Sequence, residues 1–285
     1  MKSGFVNIFG KPNAGKSTLL NALMGEKMAI VSHKVQTTRH RIKAILTEKD
    51  YQIIFSDTPG IIEPKYKLHE KMMQAVKGSL EDADVALLIT DVRENTDDSH
   101  AIFAALKLKA PAIVILNKAD TVNDEQLKTT SKFFAAQPYC KEVVAVSALQ
   151  KTGIEELIKT ILTYLPEGQP FYEGDDLSDM PTKFFVGEMI REKIFLLYGE
   201  EIPYHATVLV QEFKEKYLFT YHFADKKLGR HIAQVIAFVK RLSFGQVSED
   251  GFYQFLNARF LQGRYGNYFF AIRLSRKKLD RKSVV

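Results

Sequence analysis

The chain has 285 residues, which is long enough for two domains, and its hydrophobic content of 46% excludes an intrinsically disordered protein. Its one cysteine, Cys140, excludes an internal disulfide framework and favours a reducing, cytoplasmic compartment. No apolar run is long enough to span a bilayer, and the early start of the first predicted strand leaves no room for a signal peptide.

The net charge of +6 is distributed unevenly along the chain. Residues 226–285 carry 13 Lys/Arg and 3 Asp/Glu, so this end is strongly basic and the rest of the chain is slightly acidic. A basic end favours an anionic partner, either nucleic acid or a membrane surface. The alternative is a solvated basic tail with no dedicated partner.

The first predicted element is a buried strand at residues 5–9, which runs directly into the glycine-rich loop at residues 10–17. Residues 18–24 have helical spacing, and Gly25 can end that helix. Strand, loop and helix are the context in which G-x-x-x-x-G-K-[ST] binds phosphates. Lys16 would reach the outer phosphates and Ser17 would ligate Mg²⁺. The predicted phosphate-binding residues are Gly10, Lys11, Pro12, Asn13, Ala14, Gly15, Lys16, Ser17 and Thr18.

Residues 29–40 are polar and without periodicity, which predicts a mobile loop. In a protein that binds a nucleoside triphosphate, a threonine of such a loop completes the Mg²⁺ shell and senses the γ-phosphate. Thr37 and Thr38 are the two candidates. The alternative is an ordinary surface loop.

A strand pair is predicted at residues 41–46 and 51–56, and its second strand runs into Asp57-Thr58-Pro59-Gly60. An acid at the end of a buried strand suits a carboxylate that holds Mg²⁺. Gly60 offers a backbone N–H to a γ-phosphate and the freedom to move when that phosphate leaves.

Two later loops are predicted to bind the base. Asn117-Lys118-Ala119-Asp120 follows the buried strand at 112–116, and Asp120 can accept hydrogen bonds from N1–H and the 2-amino group of guanine. Adenine lacks the 2-amino donor, so this carboxylate would select guanine. Asn117 and Lys118 would brace the loop and cover the base. Ser147-Ala148-Leu149 follows the strand at 143–146, and its backbone N–H groups are candidates to bind the guanine oxygen.

Alternating strands and helices across residues 1–165 predict an α/β fold, in which a mostly parallel sheet has helices on both faces. The remaining elements of this pattern are an amphipathic helix that follows a loop within residues 61–80, a strand at 84–91, and helices at 99–108 and 153–165. All the motif loops follow the carboxyl ends of predicted strands, where such sheets bind ligands.

These motifs, in this order, resemble those of the GTPase superfamily. In detail, residues 11–17, 36–42 and 57–60 resemble the Era family of bacterial GTPases. The resemblance extends over residues 3–214 and implies GTP/GDP and Mg²⁺ as cofactors. It implies that Lys16, Thr38 and Gly60 act in hydrolysis and that Ser17, Thr38 and Asp57 hold the metal. Ile61 stands where Ras-like proteins have a water-orienting glutamine, so we expect slow intrinsic hydrolysis.

The polar segment 168–181 predicts a linker between a GTP-binding domain at 1–167 and a second domain at 182–285. The Era resemblance implies that this second domain is a smaller α+β RNA-binding domain of the K-homology type, with the order α-β-β-α-α-β. Its pattern predicts a helix at 183–198, strands at 205–213, 217–223 and 267–274, and helices at 229–243 and 249–262. The resemblance ends near residue 215.

The Gly-x-x-Gly loop that the K-homology type uses to clamp a nucleic-acid backbone has one match in this region, Gly263-Arg264-Tyr265-Gly266. A strand follows this match where the family has a helix. Residues 215–285 are therefore either a strongly diverged K-homology fold or a segment that does not belong to the family.

Three functions are compatible with the sequence. The Era resemblance implies a monomeric cytoplasmic GTPase that binds ribosomal RNA, associates with the small (30S) ribosomal subunit and assists its assembly, with residues 29–40 and 58–70 changing order between nucleotide states. The second is a GTPase whose basic end binds protein or membrane, which would place it peripherally at the inner face of the cell membrane. The third is a nucleotide-binding scaffold with negligible turnover.

Overall fold

The computed structural model describes residues 1–32, 38, 41–62, 67–173, 176–197, 207–213, 253–262 and 268–277. The chain forms two compact units, Met1–Asp179 and Met180–Val285. The expected strand at 217–223, the expected helix at 229–243, the Gly-x-x-Gly match at 263–266 and most of the expected mobile loop at 29–40 lie outside the described residues.

The first unit is an α/β fold built on a six-stranded sheet in the order β2-β3-β1-β4-β5-β6. β2 pairs antiparallel with β3, and all the other pairs are parallel. The strands are β1 (Lys2–Phe9), β2 (Ile42–Thr47), β3 (Tyr51–Asp57), β4 (Val85–Asp91), β5 (Ala112–Asn117) and β6 (Cys140–Ala145). The helices are α1 (Lys16–Met24), α2 (Lys67–Glu81), α3 (Thr96–Ala105), α4 (Asp124–Ala135) and α5 (Ile154–Tyr164). The expected mostly parallel sheet is confirmed.

The core of this unit lies around the central strands. Every residue of β4 and β5 is buried, as expected for parallel strands that helices cover on both faces. α1 ends where the sequence predicts, because Gly25 adopts a left-handed conformation with φ 70° that glycine enters without steric cost. α4 has no counterpart among the predicted helices. Its start signal is Asn123, whose side chain accepts a hydrogen bond from the backbone N–H of Gln126.

The segment that the sequence predicts as a linker is partly attached to the first unit. Gln52 of β3 accepts hydrogen bonds from the backbone N–H groups of Phe171 (2.7 Å) and Tyr172 (3.0 Å). The backbone N–H of Ile45 in β2 donates to the carbonyl of Leu177 at 2.9 Å. These contacts hold the described part of the segment along the antiparallel edge of the sheet.

The second unit contains α6 (Thr182–Leu197), β7 (Thr207–Phe213), β8 (Tyr253–Gln262) and β9 (Tyr268–Lys277). The strands form a sheet in the order β7-β9-β8, with β7 parallel and β8 antiparallel to β9. The structure confirms the helix expected near 183–198 and the strands expected near 205–213 and 267–274.

The helix expected at 249–262 is wrong, because residues 253–262 form β8. Aromatic residues favour strands as well as buried helix faces, so their spacing alone does not separate the two structures. The pairing of all of β8 with β9 is a contact between distant segments, which local spacing does not reveal. The order implied by the resemblance therefore fails at this element.

Within the described residues, no helix has both the length and the apolar character required to cross a membrane.

Candidate functional site

The loop from Gly10 to Ser17 joins the end of β1 to the start of α1 and requires glycine at two points. A Cβ on Gly10 would lie 2.3 Å from the carbonyl oxygen of Ile89 in β4. Gly15 has φ 100°, and a Cβ there would lie 2.1 Å from the amide nitrogen of Asn117. Because α1 begins at Lys16 without a side-chain cap, its first backbone N–H groups are suited to bind an anion. The loop therefore fits the phosphates of a nucleotide.

The Lys16 side chain is buried within this loop. Its Nζ donates hydrogen bonds to the carbonyl oxygens of Gly10 (3.1 Å) and Lys11 (2.6 Å). Burial lowers the pKa of Lys16 to about 8, although the charges of Asp57 and Glu94 oppose that shift. A buried ammonium whose hydrogen bonds go to neutral carbonyl oxygens gains from a nearby phosphate, because the anion stabilises the charged form.

This depressed pKa predicts that nucleotide binding takes up protons under alkaline conditions. With a pKa of about 8, we expect the Lys16 amine of the nucleotide-free chain to be mostly neutral at pH 8.5 and mostly protonated at pH 7. Bound phosphates raise the pKa of Lys16. The number of protons taken up per bound GTP analogue should therefore be larger at pH 8.5 than at pH 7, by roughly half a proton or more. Calorimetry in two buffers of different ionisation enthalpy measures this quantity. Equal uptake at the two pH values would contradict the assigned environment of Lys16.

Three oxygen-bearing side chains from separate segments meet beside the loop. The hydroxyl of Ser17 lies 2.6 Å from Asp57 Oδ2 and 3.0 Å from the Thr38 hydroxyl, which itself lies 3.1 Å from Asp57 Oδ2. All three predicted metal ligands, Ser17, Thr38 and Asp57, are therefore brought together. The other candidate threonine, Thr37, lies outside the described residues.

The chemistry of these three residues fits Mg²⁺. Hydroxyl and carboxylate oxygens are the ligands that this hard cation prefers. Asp57 is fully buried, and among the described residues its Oδ1 has no hydrogen-bond partner, so it retains an acceptor position for a cation. Burial raises the pKa of the Asp57 carboxyl, and Lys16, Ser17 and Thr38 oppose this shift. A bound cation would favour the carboxylate form.

The segment after Asp57 is fixed against the phosphate loop. The Thr58 hydroxyl donates to the carbonyl oxygen of Ile8 at 2.6 Å, and the Ile61 backbone N–H donates to the Gly10 carbonyl at 3.0 Å. A Cβ on Gly60 would lie 2.8 Å from Pro12, so only glycine fits this approach without displacement. The Ile61 side chain packs against the hydrophobic core and has no group that could orient a water molecule. The adjoining Pro59 is buried.

Asn117, at the end of β5, connects the phosphate loop to the predicted base-binding loops. Its amide nitrogen donates to the Ala14 carbonyl at 2.8 Å, and its amide oxygen accepts from the Ala148 backbone N–H at 3.1 Å. Lys118 adopts φ 63° and donates from Nζ to the Asn13 carbonyl at 3.1 Å. The predicted bracing role therefore rests on identified hydrogen bonds.

The remaining base-loop residues lie in two loops that a backbone hydrogen bond joins. Asp120 is exposed in a short 3-10 helix, Ala119–Thr121, whose first N–H donates to the Val146 carbonyl at 3.1 Å. Ser147 is buried and its hydroxyl accepts from the Gln150 backbone N–H at 3.2 Å, whereas Leu149 is 76% exposed. The two predicted base-binding loops therefore present an exposed carboxylate, Asp120, and an exposed apolar side chain, Leu149.

Asp91 also belongs to the site, although none of the sequence motifs contains it. It ends β4, and its carboxylate accepts hydrogen bonds from Lys118 Nζ at 2.7 Å and from Arg93. Burial raises the pKa of Asp91, but the hydrogen bonds from Arg93 and Lys118 outweigh burial and hold the pKa below its usual range. The signal that indicates Asp57, an acid at the end of a buried strand, is also present here.

Together these groups can bind and hydrolyse a purine nucleoside triphosphate. Mg²⁺ held by Ser17, Thr38 and Asp57 would supply positive charge at the outer phosphate oxygens. Lys16 adds a second positive charge, and the α1 N-terminus adds backbone donors. Because Ile61 cannot orient a water molecule, catalysis would depend on positioning of the substrate and neutralisation of the phosphate charge. We therefore expect slow intrinsic hydrolysis.

Comparisons with known proteins agree with this chemistry. A family model described as "50S ribosome-binding GTPase" matches residues 5–118. GTPase Era of Clostridium botulinum (strain Eklund 17B / Type B) is 40% identical over 223 residues, covering 78% of this chain and 76% of that relative. A second Clostridium botulinum GTPase Era, from strain Alaska E43 / Type E3, matches at the same identity and coverage.

Solved structures give the same result. A variant of Aquifex aeolicus Era bound to GDP and AlF4⁻ is 33% identical, with a TM-score of 0.71 over 85% of this chain and 89% of that one. An Era complex with MgGDPNP and nucleotides 1506–1542 of 16S ribosomal RNA is 34% identical, with a TM-score of 0.71 over 85% and 88%. The chain therefore belongs to the Era family of GTPases, which bind guanine nucleotides with Mg²⁺ and hydrolyse GTP.

Proposed function

We propose that this GTPase binds 16S ribosomal RNA and, through GTP binding and hydrolysis, assists assembly of the small ribosomal subunit. One observation carries the proposal: the chain aligns over 85% of its length with an Era structure that holds both MgGDPNP and a 16S RNA segment. The family model that mentions the 50S subunit ends at residue 118, so it covers only the nucleotide-binding part.

The domain organisation that supports this function is a GTP-binding domain at 1–167, a linker at 168–181 and a K-homology-like RNA-binding domain at 182–285 whose C-terminal part is atypical. The division into compact units between Asp179 and Met180 supports a boundary in this region. The excess of Lys/Arg over Asp/Glu in residues 226–285 supports an RNA partner, because neutralising phosphates is the largest sequence-independent term in nucleic-acid binding.

Nucleotide state would control RNA binding through the segments that contain Thr38 and Gly60. Thr38 contacts Ser17 and Asp57, and Gly60 packs on Pro12, so both segments contact the phosphate site. Loss of the γ-phosphate removes a partner from both segments and changes their order. The protein would act as a monomer in the cytoplasm, where a single free cysteine stays reduced.

Titrating the full chain with two RNAs of equal length tests this function. One RNA corresponds to nucleotides 1506–1542 of 16S ribosomal RNA, and the other has an unrelated sequence. With a GTP analogue bound, we expect the 16S fragment to bind roughly tenfold or more tightly than the control, and both affinities to fall as salt is raised.

Equal affinities with a steep salt dependence would overturn the proposal and reduce the second unit to a basic surface. In that case, titration with vesicles that contain anionic lipids tests the alternative that the basic end binds a membrane surface. Salt-sensitive vesicle binding would favour a GTPase that associates with the inner face of the membrane.

A further inference from the structure

We propose that Arg41 is a positioning residue for GTP binding, because it fixes the end of the Thr38 segment to β3 and to the end of α2. Arg41 Nε donates at 3.0 Å to the hydroxyl of Ser56, which directly precedes the predicted metal ligand Asp57. Both terminal nitrogens of its guanidinium donate to the Asp82 carboxylate, which lies just after α2.

A buried amide completes this cluster of Arg41, Asn7, Ser56 and Asp82, which we call the Arg41 cluster. Asn7 lies in β1, fully buried, three residues before the phosphate loop begins at Gly10. Its amide oxygen accepts from Arg41 Nη2 at 3.2 Å. Its amide nitrogen donates to the Ser79 carbonyl at 2.6 Å and to Asp82 Oδ1 at 2.8 Å. Asn7 therefore also satisfies a carbonyl at the carboxyl end of α2.

The Arg41 cluster joins the segments that respond to the γ-phosphate. Arg41 follows Thr38 by three residues, so the chain between them can span only about 10 Å when fully extended. α2 follows the segment that contains Gly60, and β3 ends at Asp57. β2 begins at Ile42, which pairs with Asp57 of β3, and the Arg41 guanidinium adds side-chain contacts from the adjacent position to Ser56 and to Asp82 after α2. Arg41 therefore helps to limit how far Thr38 can move from Ser17 and Asp57, and it connects that limit to α2.

The geometry requires arginine rather than another cation. The planar guanidinium makes four hydrogen bonds, and two of them go to the two oxygens of one carboxylate. A lysine ammonium cannot reproduce this bidentate geometry. The Arg41 side chain is 19% exposed, so these bonds are partly shielded from solvent. Asp82 is 45% exposed, which makes its carboxylate a site at which the cluster can be weakened without opening the core.

The energetic consequence depends on which nucleotide is bound. In the triphosphate state Thr38 would ligate the metal, so the free-energy cost of ordering Thr38 would lower the affinity for GTP and not the affinity for GDP. An anchored segment end lowers that cost. Loss of the anchor should therefore weaken GTP more than GDP, whereas a general loss of stability would not distinguish the two nucleotides.

Affinities of the full chain for a fluorescent non-hydrolysable GTP analogue and for fluorescent GDP test this role. In Arg41→Gln, we expect the analogue to bind about tenfold more weakly and to need more Mg²⁺ for half-maximal binding, with GDP affinity changed less than twofold. Asp82→Asn should shift the same ratio about threefold, and Arg41→Lys should give an intermediate value. Lys43→Gln, which removes a cation of β2 two residues after Arg41 and outside the Arg41 cluster, should change neither affinity.

Equal weakening of both nucleotides in Arg41→Gln and Asp82→Asn would overturn the proposal, because it would reduce the cluster to a structural contact. Unchanged affinities in both variants would overturn it as well. Should Arg41→Gln fail to fold, the ratio measured in Asp82→Asn decides between the two outcomes, because that substitution keeps the side-chain size at a half-exposed position.

Discussion

Replacing Asp120 by asparagine is expected to weaken GTP binding by roughly 10²–10⁴-fold and to create affinity for xanthosine nucleotides. The predicted role of the carboxylate is to accept hydrogen bonds from N1–H and the 2-amino group of guanine, and each charge-assisted bond would contribute about 1.5–3 kcal/mol. Asparagine offers one acceptor and one donor, which match the N–H and the 2-oxo group of xanthine. Competition titrations with GTP, XTP and ATP analogues measure the exchange of specificity.

Asp124→Asn is the matched control, since Asp124 is an exposed acid in the first turn of the neighbouring helix α4. It should leave all three affinities unchanged. Unaltered GTP affinity in Asp120→Asn would show that the exposed carboxylate of Asp120 does not contact the base, and the specificity would then have to be sought in the loop at Ser147 and Ala148.

Replacing Lys16 by alanine is expected to lower the rate of GTP hydrolysis by roughly 10³-fold, which corresponds to about 4 kcal/mol of transition-state stabilisation. Lys16 is the buried cation of the phosphate loop, and Ile61 offers no compensating polar group. Single-turnover phosphate release at saturating GTP separates this effect from weaker binding.

Lys49→Ala is the control for this change, because Lys49 is exposed in the turn between β2 and β3, away from the phosphate loop. It should release phosphate at the unmodified rate. A Lys16→Ala variant that retains half or more of the unmodified rate would show that backbone donors and Mg²⁺ are sufficient without the lysine charge.

The elements that position the site are predictable from sequence where local signals agree. Gly10, Gly15 and Lys16 form a loop between a strand and a helix, as their pattern indicates, and Asp57 ends a buried strand beside Ser17. The connections between loops are less visible. Asn117 bonds to Ala14 of the phosphate loop, 103 residues away in sequence, and to Ala148, 31 residues away. No local pattern encodes contacts over such separations.

Other features depend on packing that the sequence does not display. Asp91 carries a readable signal, an acid after a buried strand, but its partner Lys118 becomes apparent only when β4 and β5 are adjacent. Gln52 is an ordinary polar residue in a strand until the segment at Phe171 and Tyr172 lies beside it. In the second unit, β8 follows from its pairing with β9, which outweighs helical spacing.

RNA affinity of the full chain in its two nucleotide states tests the central claim, that GTP binding controls RNA binding. The measurement compares the affinity for the 16S fragment with a non-hydrolysable GTP analogue bound and with GDP bound, at one salt concentration. We predict that the two affinities differ by about tenfold, which corresponds to a coupling free energy of about 1.4 kcal/mol. Identical affinities in the two states would contradict the account, because nucleotide binding and RNA binding would then be independent activities of one chain.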